Sequence, residues 1–144
     1  MHIMGEWSKR LDESFQEAIS SLDTEPDFRK NLAALRPVIH KIAAVKTLAD
    51  DQNTLFVAYM VEKQLMAVQI NCAGNDAGWY KLNAAAIYGF RRVLRFYLER
   101  IKEAFNQLNY DNVIDAAKDF LFASTHFGIN FYINPIHTSC SRYY

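Results

Sequence analysis

The sequence predicts an all-α fold, a bundle of about five mostly antiparallel helices with a short aromatic C-terminal tail. Two observations carry this expectation. Apolar residues recur every three or four positions in five separate segments, which is the period of a helix face. Prolines, glycines and small polar residues punctuate the chain between those segments, and only the tail after Gly128 has the aromatic and β-branched content of extended chain.

In the first segment Trp7, Leu11, Phe15, Ala18, Ile19 and Leu22 form the apolar stripe, with Ser8 placed as a cap and an end near Asp23. Thr24, Glu25 and Pro26 then open a second helix, whose stripe reads Phe28, Leu32, Leu35, Ile39, Ile42, Val45 and Ala49. Pro37 lies inside that stripe. It removes one backbone donor and disfavours helix at Arg36, so a kink or a break is expected there.

A third helix is expected from about Asn53 to Cys72, behind the Asp50-Asp51 pair that suits a helix N-terminus. Its polar residues fall on two opposed lines, Glu62 with Gln69 and Gln64 with Asn71, as in a helix flanked by neighbours on two sides. The fourth helix should run from Ala77 to about Leu108, with Trp79, Ala86, Phe90, Val93, Leu94, Tyr97, Ile101, Ala104, Phe105 and Leu108 on one face. At 1.5 Å per residue it would be roughly 45 Å long, whereas a compact chain of this size is only about 37 Å across. It is therefore expected to bend, with Gly89 as the place, to protrude, or to be covered by another chain. The third and fourth helices are expected at the centre of the bundle.

The fifth helix, about Asp111 to His126, turns Val113, Ile114, Ala117, Phe120, Leu121 and Ser124 inward and stops at Gly128. The tail from Ile129 to Tyr144 is broken at Asn134-Pro135 and is too apolar for a free solvated end. It should pack on something.

Composition bounds the function. A chain of 144 residues has the size of one domain, residues 1–144, and a hydrophobic fraction of 51% is enough to fold it without a metal or disulfide staple. Sixteen Lys and Arg balance sixteen Asp and Glu, so no overall field draws nucleic acid or an anionic membrane, and nucleic-acid binding is disfavoured. Cys72 and Cys140 lie far apart and form no CxxC pair, which points to free thiols in a cytoplasmic protein. The longest apolar run, Leu55 to Val61, is far short of the ~20 residues that span a bilayer, and the first residues lack a signal-peptide core.

The polar side of the fourth helix holds the leading candidate site. Arg91, Arg92 and Arg95 cluster there with Tyr88 and Phe96, and Tyr with Arg is the combination that anchors protein interfaces. Arg91 and Arg95 are like charges one turn apart, a repulsion that a partner would relieve. The bland alternative is a solvated face whose arginines pair with Glu99 and Glu103.

A second candidate is a pocket at Glu62 and Gln69, since a carboxylate on so apolar a helix needs either solvent or a buried partner. His137 and Cys140 have a zinc-compatible spacing, with His126 or Cys72 as further donors, but one such pair does not make a closed site and no metal or other cofactor is expected. His40 should be a surface residue. The sequence has no ExxH pair, Gly-rich phosphate loop, GxSxG or HExxH, which leans away from an enzyme. The resulting expectation is a small interaction or scaffold protein that acts through a helix face. It should form a homodimer or bind an acidic protein partner; the alternative is a bundle with a ligand-binding or acid-base pocket near Glu62.

Overall fold

The computed structural model describes residues 2–73 and 84–129, with side chains from residue 10 onward. Every element among them is helical: α1 (His2–Thr24), α2 (Phe28–Ala33), α3 (Leu35–Leu48), α4 (Gln52–Ala73), α5 (Ala84–Asn106) and α6 (Tyr110–Thr125). α1 begins at His2 rather than at the cap expected of Ser8, which instead lies inside the helix.

The expected break in the second helical segment occurs at Ala34, between α2 and α3. Pro37 falls in the first turn of α3, where a missing N–H costs nothing, and in an unbroken helix its ring would collide with the Ala33 carbonyl. The break also shifts the phase of the buried stripe. Leu35, Val38, Ile42 and Val45 are buried, whereas Ile39 is only partly so.

The helices close into a ring in which α1 packs on α3, α3 on α4, α4 on α6, α6 on α5 and α5 back on α1. This corrects the expectation that the third and fourth helices form the centre. α4 and α5 are not neighbours in the ring, and each keeps an exposed face that includes Phe56 and Tyr59 on α4 and Tyr88 and Phe96 on α5. The centre is filled by side chains from all sides. Phe15 lies against Phe105 with centroids 6.4 Å apart, and Tyr97 stacks flat on Phe120 at 4.1 Å.

The two polar lines of α4 become its two seams. Glu62 pairs with Lys46 of α3 at 2.6 Å, and Gln69 donates to the Leu32 carbonyl of α2 at 2.7 Å. On the other side, Gln64 donates to the Ala117 carbonyl of α6 at 3.0 Å and accepts from the Tyr97 hydroxyl of α5. The Tyr97 phenol is fully buried, and desolvation holds its pKa well above the ordinary value, so it stays a donor.

Two helix ends reuse one backbone motif. After α5 the Asn109 N–H reaches the Ala104 carbonyl and the Leu108 N–H that of Phe105; after α6, Ile129 reaches Ser124 and Gly128 reaches Thr125. Both are Schellman ends, whose C′ residue takes a left-handed conformation. Gly128 (φ 76°) suits that position, whereas Leu108 (φ 54°) carries a side chain there and is 42% exposed rather than buried as its place in the stripe implied. Leu121 is likewise 44% exposed, on the outer side of α6.

α5 as described spans 23 residues, roughly 34 Å at the helical rise. Positions 77–83 of the expected longer helix lie outside the described residues. Gly89 serves close packing: a Cβ there would stand 3.0 Å from the Phe127 ring, which closes the α5–α6 end of the bundle.

Candidate interaction surface

The five residues singled out on α5 are brought together along one side of the helix, but they have three different roles. Arg91 is a structural clamp. α1 ends without a glycine, and Pro26 cannot continue it, so its last carbonyls need donors from elsewhere. The Arg91 guanidinium supplies them, reaching the carbonyls of Leu22 at 2.9 Å, Glu25 at 2.7 Å and Pro26 at 3.1 Å. Asn31 works from the other side, donating to Ser21 and to the Glu25 carbonyl at 3.2 Å.

Arg95 is an ion-pair partner. It grips the Asp23 carboxylate with two hydrogen bonds of 2.6 and 3.0 Å and also reaches Glu99 at 3.2 Å. The guanidinium holds the Asp23 carboxyl below the usual carboxylate range, through its hydrogen bond first and its charge second. The like-charge repulsion read between Arg91 and Arg95 is thus answered inside the chain, by carbonyl dipoles and a carboxylate.

Tyr88, Arg92 and Phe96 remain. Spaced at i, i+4 and i+8, they form a ridge along α5. Tyr88 is 63% exposed and Phe96 60% exposed. The Arg92 guanidinium lies over the Tyr88 ring at 5.9 Å and has no ion pair among the described residues. Arg100 lies over the Phe96 ring at 5.6 Å while paired with Asp119 at 2.6 Å.

A groove runs on either side of the ridge, and Arg92 and Phe96 line both. The wider one, about 720 Å³, separates the ridge from the Leu22 to Pro26 turn and contains all five candidate residues. The narrower one, about 300 Å³, follows the α5–α6 seam between apolar walls that include Val93, Phe120 and Ala123.

The other candidates are placed differently. Glu62 is half of a partly buried ion pair and Gln69 ties α4 to α2, and neither residue lines either of these two grooves. His40 is exposed, as expected. Cys72 is a buried free thiol whose pKa burial pushes up to about 12, so it stays protonated and unreactive. Among the described residues no three His, Cys, Asp or Glu side chains gather as a metal site, and His137 and Cys140 lie outside those residues.

Sequence reasoning missed the anchoring pairs Arg91 with the α1 end and Gln64 with Tyr97. It also missed Phe122, which is 72% exposed on α6 beside His126. The only signal for the first was a helix end with a proline and no glycine. No helix among the described residues is long and apolar enough to cross a membrane. No protein-family model, curated protein or solved structure matches this chain.

Proposed function

We propose that this protein is a small interaction or scaffold protein that works through the Tyr88–Arg92–Phe96 ridge of α5 and associates with a second copy of itself. The observation that carries the reading is the division of labour on α5. Arg91 and Arg95 are consumed within the chain, while two aromatics and a guanidinium with no ion pair among the described residues stand outward between two grooves. Aromatic and arginine side chains are the commonest interface anchors, and a few buried aromatics supply much of the roughly 800 Å² per partner that a standard interface needs.

A second reading is favoured by Arg92 alone: an acidic protein segment would supply a carboxylate to a guanidinium that has none among the described residues. Nucleic acid is disfavoured by the zero net charge. The proposal requires no cofactor and no catalytic group, and a cytoplasmic setting is supported by the free Cys72 thiol.

Light scattering on the full chain at tens of micromolar tests the self-association. A dimer is expected, and the double variant Arg92→Glu with Phe96→Ser should shift it to monomer while its circular dichroism stays helical. A wild-type monomer of 16.6 kDa would overturn the self-association. Arg95 is unsuitable for this test, because Arg95→Glu would set a carboxylate against Asp23 and damage the fold.

A further inference from the structure

We infer that the contact between two copies is reciprocal: the Tyr88–Arg92–Phe96 ridge of each seats in the wider groove of the other, and Arg92 pairs with Glu25 of the partner subunit. The inference rests on the ridge being the contact surface. The aromatic tail expected to pack on something lies at positions 130–144, outside the described residues, so the contact is drawn from α1, its end and α5 alone.

The wider groove has five charged side chains on its walls, and three of them are spoken for. Arg95 and Asp23 satisfy each other, and Arg91 is taken by its three carbonyls. Two are left, one of each sign. Arg92 and Glu25 both line the groove, and neither has an ion pair among the described residues. Glu25 Oε2 accepts from the Asp27 N–H at 2.9 Å, which holds the carboxylate at the wall and leaves Oε1 for a further donor.

A patch that has both a ridge and a groove, with one spare charge of each sign, is self-complementary, as a two-fold contact requires. The direction of the axis follows. About an axis along α5, each ridge lies opposite the other copy's groove and heights along the helix are kept; about an axis across α5, ridge meets ridge and both grooves stay open. Height then selects the pair. Arg91 reaches the Glu25 carbonyl and Arg95 the Asp23 carboxylate, so Glu25 stands level with the turn that holds Arg92, and Asp23 one turn further on. Arg92 therefore arrives opposite the partner's Glu25, with Tyr88 and Phe96 filling the groove on either side. The narrower groove has no such complement, since its one carboxylate, Asp119, is already paired with Arg100.

Charge exchange on the full chain tests this, read by light scattering and native mass spectrometry. Glu25→Arg and Arg92→Glu should each fall to monomer at tens of micromolar, because each homodimer sets like charges face to face twice. Mixed in equal amounts, the two variants should recover a dimer with one chain of each, in which both pairs return with their signs exchanged. The neutral variants Glu25→Gln and Arg92→Gln should each weaken the dimer about tenfold, and the two together no more than one alone. Should charge reversal unfold either chain by circular dichroism, the neutral variants decide. Reversed variants that stay dimeric, a mixture of helical chains that stays monomeric, or additive losses in the neutral set would overturn the pairing and leave self-association standing. A wild-type monomer would refute self-association itself, and the pairing with it.

Discussion

Arg91 Nη2 lies 2.7 Å from the carbonyl oxygen of Glu25, so a residue of α5 finishes the end of α1. A positively charged donor suits a helix C-terminus twice over, by hydrogen bonding to orphan carbonyls and by opposing the negative end of the dipole.

Replacing Arg91 by Ala should therefore destabilise the fold by about 2 kcal/mol, the order of magnitude expected when charge-assisted bonds are lost and the Leu22 carbonyl, in a part-buried bond, loses its donor, while Asn31 still serves Glu25. Arg91→Lys should recover only part, because one ammonium cannot span three carbonyls. Urea unfolding checks this; equal midpoints for the Ala variant and the wild type would show that the clamp is ornamental.

Leu108 and Gly128 occupy the same left-handed position in two helix ends, and their substitutions should act in opposite directions. Leu108→Gly is expected to stabilise the protein by about 1 kcal/mol, since its exposed side chain loses little packing and the backbone strain is relieved. Gly128→Ala should destabilise by a similar amount even though a Cβ there meets no neighbour within 4 Å. Thermal melts of the two variants should bracket the wild type.

Tyr97 and Gln64 join α5 to α4 across the core, and Gln64 passes the bond on to the Ala117 carbonyl. Tyr97→Phe should cost about 1–3 kcal/mol, because it leaves the Gln64 carbonyl oxygen without its donor in a part-buried seam. A double-mutant cycle with Gln64→Leu should give a combined loss smaller than the sum of the two singles; strict additivity would mean the bond contributes nothing.

Acid should weaken the fold through Asp23 and Asp51. The Asp51 carboxylate accepts from the Thr54 backbone N–H at 2.9 Å and from its hydroxyl at 2.7 Å, and these bonds hold its pKa below the ordinary value, the backbone bond most. That hydroxyl proton is therefore engaged, so Tyr110 donates to Thr54 Oγ1, 2.6 Å away, and links the start of α6 to the start of α4. Both carboxyls are depressed in the folded state. Their contribution is complete above the unfolded carboxylate pKa of about 3.9 and is lost as pH falls through the lower folded values. Stability measured from pH 6 downward should fall below about pH 4, and the fall should be shallower in Asp23→Asn and in Asp51→Asn.

The sequence by itself determined the helical class, most element positions and most of the core, because apolar periodicity is a property of a segment alone. Phe15, Leu94 and Val113 are buried where that period put them. It also showed the two polar lines of α4, and it marked the break near Pro37 because that steric conflict is local. It identified Tyr88, Arg91, Arg92, Arg95 and Phe96 as one helix side, and these five do line one groove.

Tertiary structure decided what each of those residues faces. Nothing within α5 says that Arg91 meets the end of α1 or that Arg95 meets Asp23, since both partners lie more than sixty positions away. Nor does an apolar residue near a helix end reveal whether its backbone will turn left-handed, as at Leu108. The order of helices in the ring was invisible for the same reason: a helix face records that it is covered, while its neighbour depends on how all the faces close together.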